Sequence, residues 1–239
     1  MKIVIVRHGD PNYETDSLTP AGKIEAELLV PRIKSLCADE YYVSPLGRAR
    51  ETAAPSMAAL GKQAAVLDWL QEFPAYTKEN GEDSLPWDLM PSYWTSDERY
   101  YSENEWYNTD LMKTGPIKKT FDSVTAELDG FLAKHGYRRD GRIYRAEKPN
   151  SKTIVLFCHF GIECVFLSHI LGVAPHVLWQ GFVALPTSVT TLVTEEREKG
   201  IAAFRCNGFG DVSHLYAAGR EPSFAARFCE LYTNSDERH

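Results

Sequence analysis

The chain has 239 residues, 44% of them hydrophobic, enough to bury one large core, and a formal net charge of −7 that argues against non-specific nucleic-acid binding, which needs a basic face. Its five cysteines, Cys37, Cys158, Cys164, Cys206 and Cys229, are odd in number and scattered without a Cys-x-x-Cys pair, which indicates neither a disulfide framework nor a structural zinc site. No apolar run approaches the roughly eighteen residues of a membrane span, and the first residues read as a strand rather than a signal peptide, so a cytoplasmic protein with reduced thiols is expected.

Lys2 to Val6 is a β-branched run of the kind buried on both faces of a sheet, and it stops on Arg7, His8 and Gly9. Ligands gather at the carboxyl ends of parallel strands, so a fixed cation and an imidazole meet there in one small space. Arg7 offers a planar fork suited to phosphate or carboxylate, His8 can be a nucleophile, base or ligand, and Gly9 lets a ligand approach the backbone. Asp10 to Ser17 is a polar loop. Thr19 and Pro20 form an N-cap and first-turn proline for a helix that Pro31 should kink or end. Tyr41 to Val43 is a short strand, Ser44-Pro45 repeats the cap-plus-proline start for a helix to about Leu60, and Ala64 to Leu67 is a weaker third strand.

From Phe73 to about Lys119 regularity gives way to aromatic residues interleaved with prolines and acids, read as an insertion of short helices over the active end of the sheet. Phe121 to Lys134 restores helical spacing, with Gly136 as its C-cap, and Arg138 to Lys148 reads as a solvated basic hairpin. Thr153 to Phe157 is a second buried strand, running into His159. An apolar helix spans Gly161 to Leu171, and a shorter helical piece Val177 to Phe182. Ser188 to Thr194 and Ile201 to Arg205 form an antiparallel hairpin at one edge, and a terminal helix is expected over Ser223 to Leu231. Strands alternating with helices predict an α/β chain built on a parallel sheet, and residues 1–239 read as a single domain.

Five ordered motifs carry a resemblance. Arg7-His8-Gly9 after the first strand, Leu18-Thr19-Pro20-Ala21-Gly22 and Ser44-Pro45-Leu46-Gly47-Arg48 opening the first two helices, Cys158-His159-Phe160-Gly161, and Asp211-Val212-Ser213-His214-Leu215 together resemble the histidine phosphatase superfamily, the phosphoglycerate-mutase-like group. The resemblance implies a three-layer α/β/α sandwich with a mainly parallel central sheet and an antiparallel edge strand. It also implies a small phosphorylated substrate and a phosphomonoesterase in which His8 attacks phosphorus and water then hydrolyses the phosphohistidine. Arg7, His8, Arg48 and His159 would surround the phosphoryl group, and no metal or other cofactor is then required. Arg48 has independent support, because a cation in the first turn of a helix opposes the dipole unless an anion lies near.

The family usually places an acid after the third strand, where Glu72 stands, and a carboxyl poised over phosphate has its proton affinity raised, as a general acid needs. Two departures from the family pattern leave a competitor. Asp10-Pro11 follows Gly9 instead of Glu-Thr or Glu-Ser, and Phe73-Pro74-Ala75-Tyr76 follows Glu72 instead of a Gly-containing segment, so Asp10 is a second candidate, with Glu82 and Asp83 more distant. Asn12 reads either as a phosphate contact or as an Asx turn, and His214 either as a rim residue or as a histidine bonded to the backbone. Arg50 lies on another helix face and reads as solvated or salt-bridged. A phosphoglycerate-type phosphomutase and a non-catalytic phosphate-recognition module are the alternative functions. A cysteine phosphatase and a P-loop kinase are excluded, since no arginine closely follows Cys158 or Cys164 and no Gly-Lys-Ser/Thr loop exists.

Overall fold

Five of the six residues of β1 (Lys2–Arg7) are buried, and in the computed structural model, which describes residues 1–223 and Thr233, this strand lies inside an eight-stranded sheet. The chain continues through the small pair β2 (Pro11–Asn12) and β3 (Ser17–Leu18), α1 (Pro20–Ser35), β4 (Glu40–Val43), α2 (Gly47–Leu60) and β5 (Ala65–Val66). There follow a hairpin of β6 (Thr77–Glu79) and β7 (Glu82–Ser84), the single turn α3 (Pro91–Trp94), α4 (Ile117–Lys134), and a second hairpin of β8 (Tyr137–Asp140) and β9 (Ile143–Ala146). Then come β10 (Thr153–Cys158), α5 (Phe160–Leu171), α6 (Pro175–Gly181), β11 (Val189–Glu198), β12 (Ile201–Asp211) and α7 (Ser213–Ala217).

The sheet order is β5-β4-β10-β1-β11-β12-β9-β8. Strands β5, β4, β10 and β1 pair in parallel, whereas β11 runs antiparallel to β1 and every pair beyond it is antiparallel. Alternation along β1 sends successive side chains to opposite faces. Val4 and Val6 pack with Leu29 and Ile33 of α1 and Ala49, Ala53 and Met57 of α2. Ile3 and Ile5 pack with Leu128 and Phe131 of α4 and Val165 and Phe166 of α5, together with Phe73, Trp87 and Trp106. Helices thus cover both faces, and the α/β/α layering is as expected.

Several local expectations are corrected. Helix α1 runs through Pro31, which faces solvent, so the carbonyl left without its N–H partner can be hydrated. Ser44 does not cap α2, whose N-cap is Leu46. The hairpin β11–β12 is not at the edge; it bridges β1 to β9. The basic stretch forms the outermost strands of the sheet because Tyr137 and Tyr144 alternate with its arginines and are buried, Tyr144 lying 4.9 Å from Phe204. Three of those arginines are paired with acids, Arg138 with Glu147, Arg145 with Asp140 and Arg142 with Glu103, and Arg139 donates to the Tyr144 hydroxyl. The aromatic segment contains the β6–β7 hairpin besides its short helical turns. The helix expected over Ser223 to Leu231 lies outside the described residues apart from Ser223. Among the described residues no helix is long and apolar enough to cross a membrane.

Candidate active site

Two parallel neighbours end at the same level. Strands β1 and β10 pair with Val6 opposite Phe157 and Arg7 opposite Cys158, so His8 and His159 emerge side by side, their rings 5.1 Å apart between centroids and tilted by 57°. Both imidazoles are buried. The His8 amide donates to the Cys158 carbonyl at 3.0 Å. His8 Nδ1 lies 2.7 Å from the Gly9 carbonyl oxygen. A carbonyl can only accept, so Nδ1 carries the proton and Nε2 keeps its lone pair. Burial, then the charges of Arg7 and Arg48, hold the His8 ring well below its ordinary proton affinity and therefore neutral.

His159 is tethered through the other nitrogen. Its Nε2 lies 2.8 Å from Ser44 Oγ, which also accepts from the Leu46 amide at 3.2 Å. Its Nδ1 is buried without a hydrogen-bond partner. Burial first, then His8, Arg48 and Arg7, push His159 well below the usual range.

Arg7 donates through Nη1 to the Ala184 carbonyl, and Arg48 donates through Nη1 to Asp16 Oδ1 at 2.5 Å. The other oxygen of Asp16 accepts from the Gly47 amide at 2.6 Å, and the Tyr13 ring lies 5.4 Å from the Arg48 guanidinium. In both arginines Nε is buried and unpartnered. Thr52 links the end of β1 to the start of α2: its hydroxyl accepts from the Gly9 amide at 2.9 Å and donates to the Arg48 carbonyl at 2.7 Å. Gly9 is required for packing, not for ligand approach, because a Cβ there would lie 2.9 Å from the Gly22 carbonyl oxygen.

Glu72 closes the opposite side. Its Oε1 accepts from the Phe73 amide at 2.9 Å and from the Ile162 amide at 3.0 Å, in the first turn of α5. Burial raises its proton affinity, opposed by the Phe73 amide, Arg48, the Ile162 amide and Arg7. Gly161 makes this approach possible, since a Cβ there would lie 2.7 Å from the Trp87 ring and 2.8 Å from Glu72 Oε1. Asp10 is engaged elsewhere: its carboxylate accepts from the Thr19 hydroxyl at 2.5 Å and its amide donates to Glu25 at 2.9 Å. Asn12 is exposed and accepts from the Glu14 amide at 3.1 Å, an Asx turn. Glu82 and Asp83 lie on exposed β7, with Asp83 2.5 Å from Lys78. His214 Nε2 meets the Thr187 hydroxyl at 3.1 Å, and Thr187 donates its amide to the His8 carbonyl, also at 3.1 Å. Burial, followed by Arg32, lowers His214 to about 4.

Sequence reasoning missed Asp16, the tethering role of Ser44, and Glu163. Asp16 sits in a polar loop that gives no signal. Glu163 does carry one, as the single acid of the apolar helix α5. It is buried, its Oε1 has no partner, and burial pushes it up to about 7 against the Thr190 hydrogen bond and the Arg7 charge.

A cavity of about 740 Å³ opens over this group. Arg7, Arg48 and Glu72 line it, and Phe73, Tyr76, Leu85 and Trp87 contribute from the aromatic segment. His8 and His159, both buried, are not among its lining residues; Arg7 beside His8 and Phe160 beside His159 are. The arrangement can receive a tetrahedral anion against two guanidinium groups, with a neutral imidazole nitrogen beneath it and a protonatable carboxyl beside it.

Comparison with known proteins follows the same outline. The model of the histidine phosphatase superfamily (branch 1) matches residues 3–207. A probable phosphatase of Schizosaccharomyces pombe is 22% identical over 232 residues, spanning 90% of this chain and 95% of that protein. Among solved structures, a phosphoserine phosphatase variant from Entamoeba histolytica in complex with phosphoserine superposes with a TM-score of 0.60 at 20% identity, covering 90% of this chain and 98% of the other. A mycobacterial glucosyl-3-phosphoglycerate phosphatase in complex with VO3 gives a TM-score of 0.59 at 16% identity, covering 87% and 98%. At such identities the structural likeness is one of fold.

Proposed function

The chain belongs to the histidine phosphatase superfamily and is a phosphoric monoester hydrolase, and we propose that it cleaves a small phosphate monoester without a metal, through a phosphohistidine on His8. His8 Nε2 attacks phosphorus as the ester P–O bond breaks. Glu72 gives its proton to the departing alkoxide through the carboxyl oxygen not held by the Phe73 and Ile162 amides. The resulting carboxylate takes a proton from water as that water attacks the phosphohistidine. Phosphate and neutral His8 are regenerated, and Glu72 is again protonated.

Phosphate-monoester hydrolysis requires accelerations of up to the order of 10²¹, so the transferring oxygens need fixed positive charge. Arg7 and Arg48 supply it, held by Ala184 and Asp16, and His159 adds a donor to an equatorial oxygen. One observation carries the reading: the Gly9 carbonyl holds the proton of His8 on Nδ1, so Nε2 is available as a nucleophile in a site flanked by two cations. Acid-labile phosphate trapped on the protein after brief exposure to a phosphate ester, and lost in His8→Ala, is the expected result. Modification that persists in that variant sinks the nucleophile assignment. A mutase would return the phosphate to substrate instead of releasing it, and a recognition module would turn over none of the esters.

A further inference from the structure

A single turn between α6 and β11 is bonded to both Arg7 and His8. The Ala184 carbonyl accepts from Arg7 Nη1, the Ser188 carbonyl accepts from the Arg7 amide at 3.1 Å, and the Thr187 amide donates to the His8 carbonyl at 3.1 Å. The Ser188 amide donates to the Leu185 carbonyl at 2.9 Å, closing a β-turn with Pro186 and Thr187 at its centre.

The backbone of this turn does not suit threonine. Thr187 has a φ of +57°. A turn with proline at its second position and positive φ at its third ordinarily takes glycine or asparagine there, and a β-branched residue in that region is an outlier. Among the described residues the other non-glycine positions with positive φ are Asp16, Cys37 and Asn80. None of them is β-branched or buried, whereas Thr187 is fully buried. Such strain persists only where the surroundings over-determine it.

What over-determines it here is the Thr187 hydroxyl. It donates to the Pro186 carbonyl at 2.7 Å, so toward His214 Nε2, 3.1 Å away, it can only accept. His214 therefore carries its proton on Nε2. Burial lowers His214 to about 4, which leaves the ring neutral and this one donor in place around pH 7. The segment just before His214 is in turn tied to α1, since Arg32 donates to Asp211 Oδ2 at 2.8 Å and to Ser213 Oγ at 3.2 Å.

We propose, resting on the phosphohistidine reading, that His214 is a positioning residue for phosphoryl transfer: through the Thr187 hydroxyl it holds this turn in its left-handed conformation, and the turn holds Arg7 and His8 where phosphate meets them. Two substitutions at Thr187 separate this role from packing. Thr187→Val keeps the volume and the unfavourable backbone but removes the acceptor. Thr187→Gly removes the whole side chain, yet glycine takes positive φ without cost. With nitrophenyl phosphate, whose leaving group needs no proton, Thr187→Val should lower kcat/KM by about tenfold to 10²-fold and weaken inhibition by inorganic phosphate, and Thr187→Gly should do so by less. Packing alone gives the reverse order, because glycine leaves the larger void. His214→Leu should match Thr187→Val, and His214→Gln, which still offers an N–H, should recover part of the loss. Once Thr187 is valine, adding His214→Leu should change neither quantity further.

Urea unfolding fixes conditions under which each variant is folded, and if His214→Leu does not fold, the order of the two Thr187 variants decides alone. A glycine variant worse than the valine variant, or additive losses in the double variant, overturns the positioning role and leaves the phosphatase reading intact. Wild-type protein that traps no phosphate on His8 overturns the phosphohistidine reading and this inference with it.

Discussion

His8 and His159 close two adjacent strands in register, and both are buried and held neutral, yet their surroundings fix opposite nitrogens. In the β1 corner the chain's own next carbonyl takes Nδ1 and leaves Nε2 free. In the β10 corner Nε2 is taken by Ser44, a residue 115 positions away, and the ring sits at the start of a helix. The same side chain at the same place in a βα unit is therefore suited to attack in one corner and to hold an oxygen in the other. Which nitrogen is tethered, and not the residue type, separates the two proposed roles.

The sharpest way to break this comparison is to remove each ring in turn. His8→Ala is expected to lower kcat by about 10⁴–10⁶-fold, the scale of losing a covalent nucleophile, and to abolish the trapped phosphoenzyme. His159→Ala should cost about 10²–10³-fold, the scale of one oxyanion donor, and retain a trappable phosphoenzyme. Equal losses, with phosphoenzyme absent from both, would erase the distinction.

Glu72 sharpens it from the other side, because its Oε1 is anchored on the Ile162 amide and thus belongs to the β10 corner. Glu72→Gln keeps an acceptor for both amides, so the fold should survive. The variant should lose about 10²–10³-fold in kcat on alkyl phosphates and much less on nitrophenyl phosphate, whose leaving group needs no proton. The pH profile of the phosphorylation step follows in sign. The proposed mechanism requires neutral His8, whose proton affinity is lowered, and protonated Glu72, whose affinity is raised. Rate falls on the acid side as His8 gains a proton and on the alkaline side as Glu72 loses one, and the alkaline limb should vanish in Glu72→Gln.

A smaller effect crosses between the corners. Glu163 rises from the β10 corner, is pushed up to about 7, and feels the charge of Arg7 in the β1 corner. Its raised affinity keeps it neutral below about 7, and as pH climbs past that value its anion is expected to offset part of the Arg7 charge offered to phosphate. Glu163→Gln should remove a severalfold rise in KM over that interval, an effect on the order of 1 kcal/mol, while leaving kcat little changed. An unaltered KM profile would show that Glu163 does not reach Arg7.

What the sequence disclosed follows the range of the interactions. The strands β1 and β10 and the histidines at their ends were legible because a β-branched run and its terminus are local patterns, and Arg48 because a cation in a first helical turn conflicts with the dipole beside it. The partners that orient these groups were not legible. Asp16 reaches Arg48 across 32 positions and Ile162 reaches Glu72 across 90, and no local periodicity encodes such pairs. Asp10 was ambiguous for the same reason, since its tie to Thr19 exists only once β2 and β3 fold back over α1. The short β6–β7 hairpin was hidden because its six strand residues are all polar and only Thr77 is buried, which removes the alternation that marks a strand.

Ser44 offers the finest test of the comparison, because in the proposed mechanism it touches no substrate; its hydroxyl holds His159 and also accepts from the Leu46 amide. Removing its hydroxyl leaves a buried ring nitrogen without a partner, which should destabilise the fold by about 1–3 kcal/mol in urea unfolding. A merely structural hydroxyl would do that much and nothing more. As a positioning residue, Ser44 should also let the ring turn away from the phosphoryl oxygens, so Ser44→Ala should weaken inhibition by inorganic phosphate and lower kcat/KM by up to about tenfold. The decisive measurement is the double-mutant cycle: once His159 is alanine, adding Ser44→Ala should change phosphate inhibition no further. Additive losses would mean that Ser44 reaches the phosphate by another route, and the tether that separates the β10 corner from the β1 corner would lose its function.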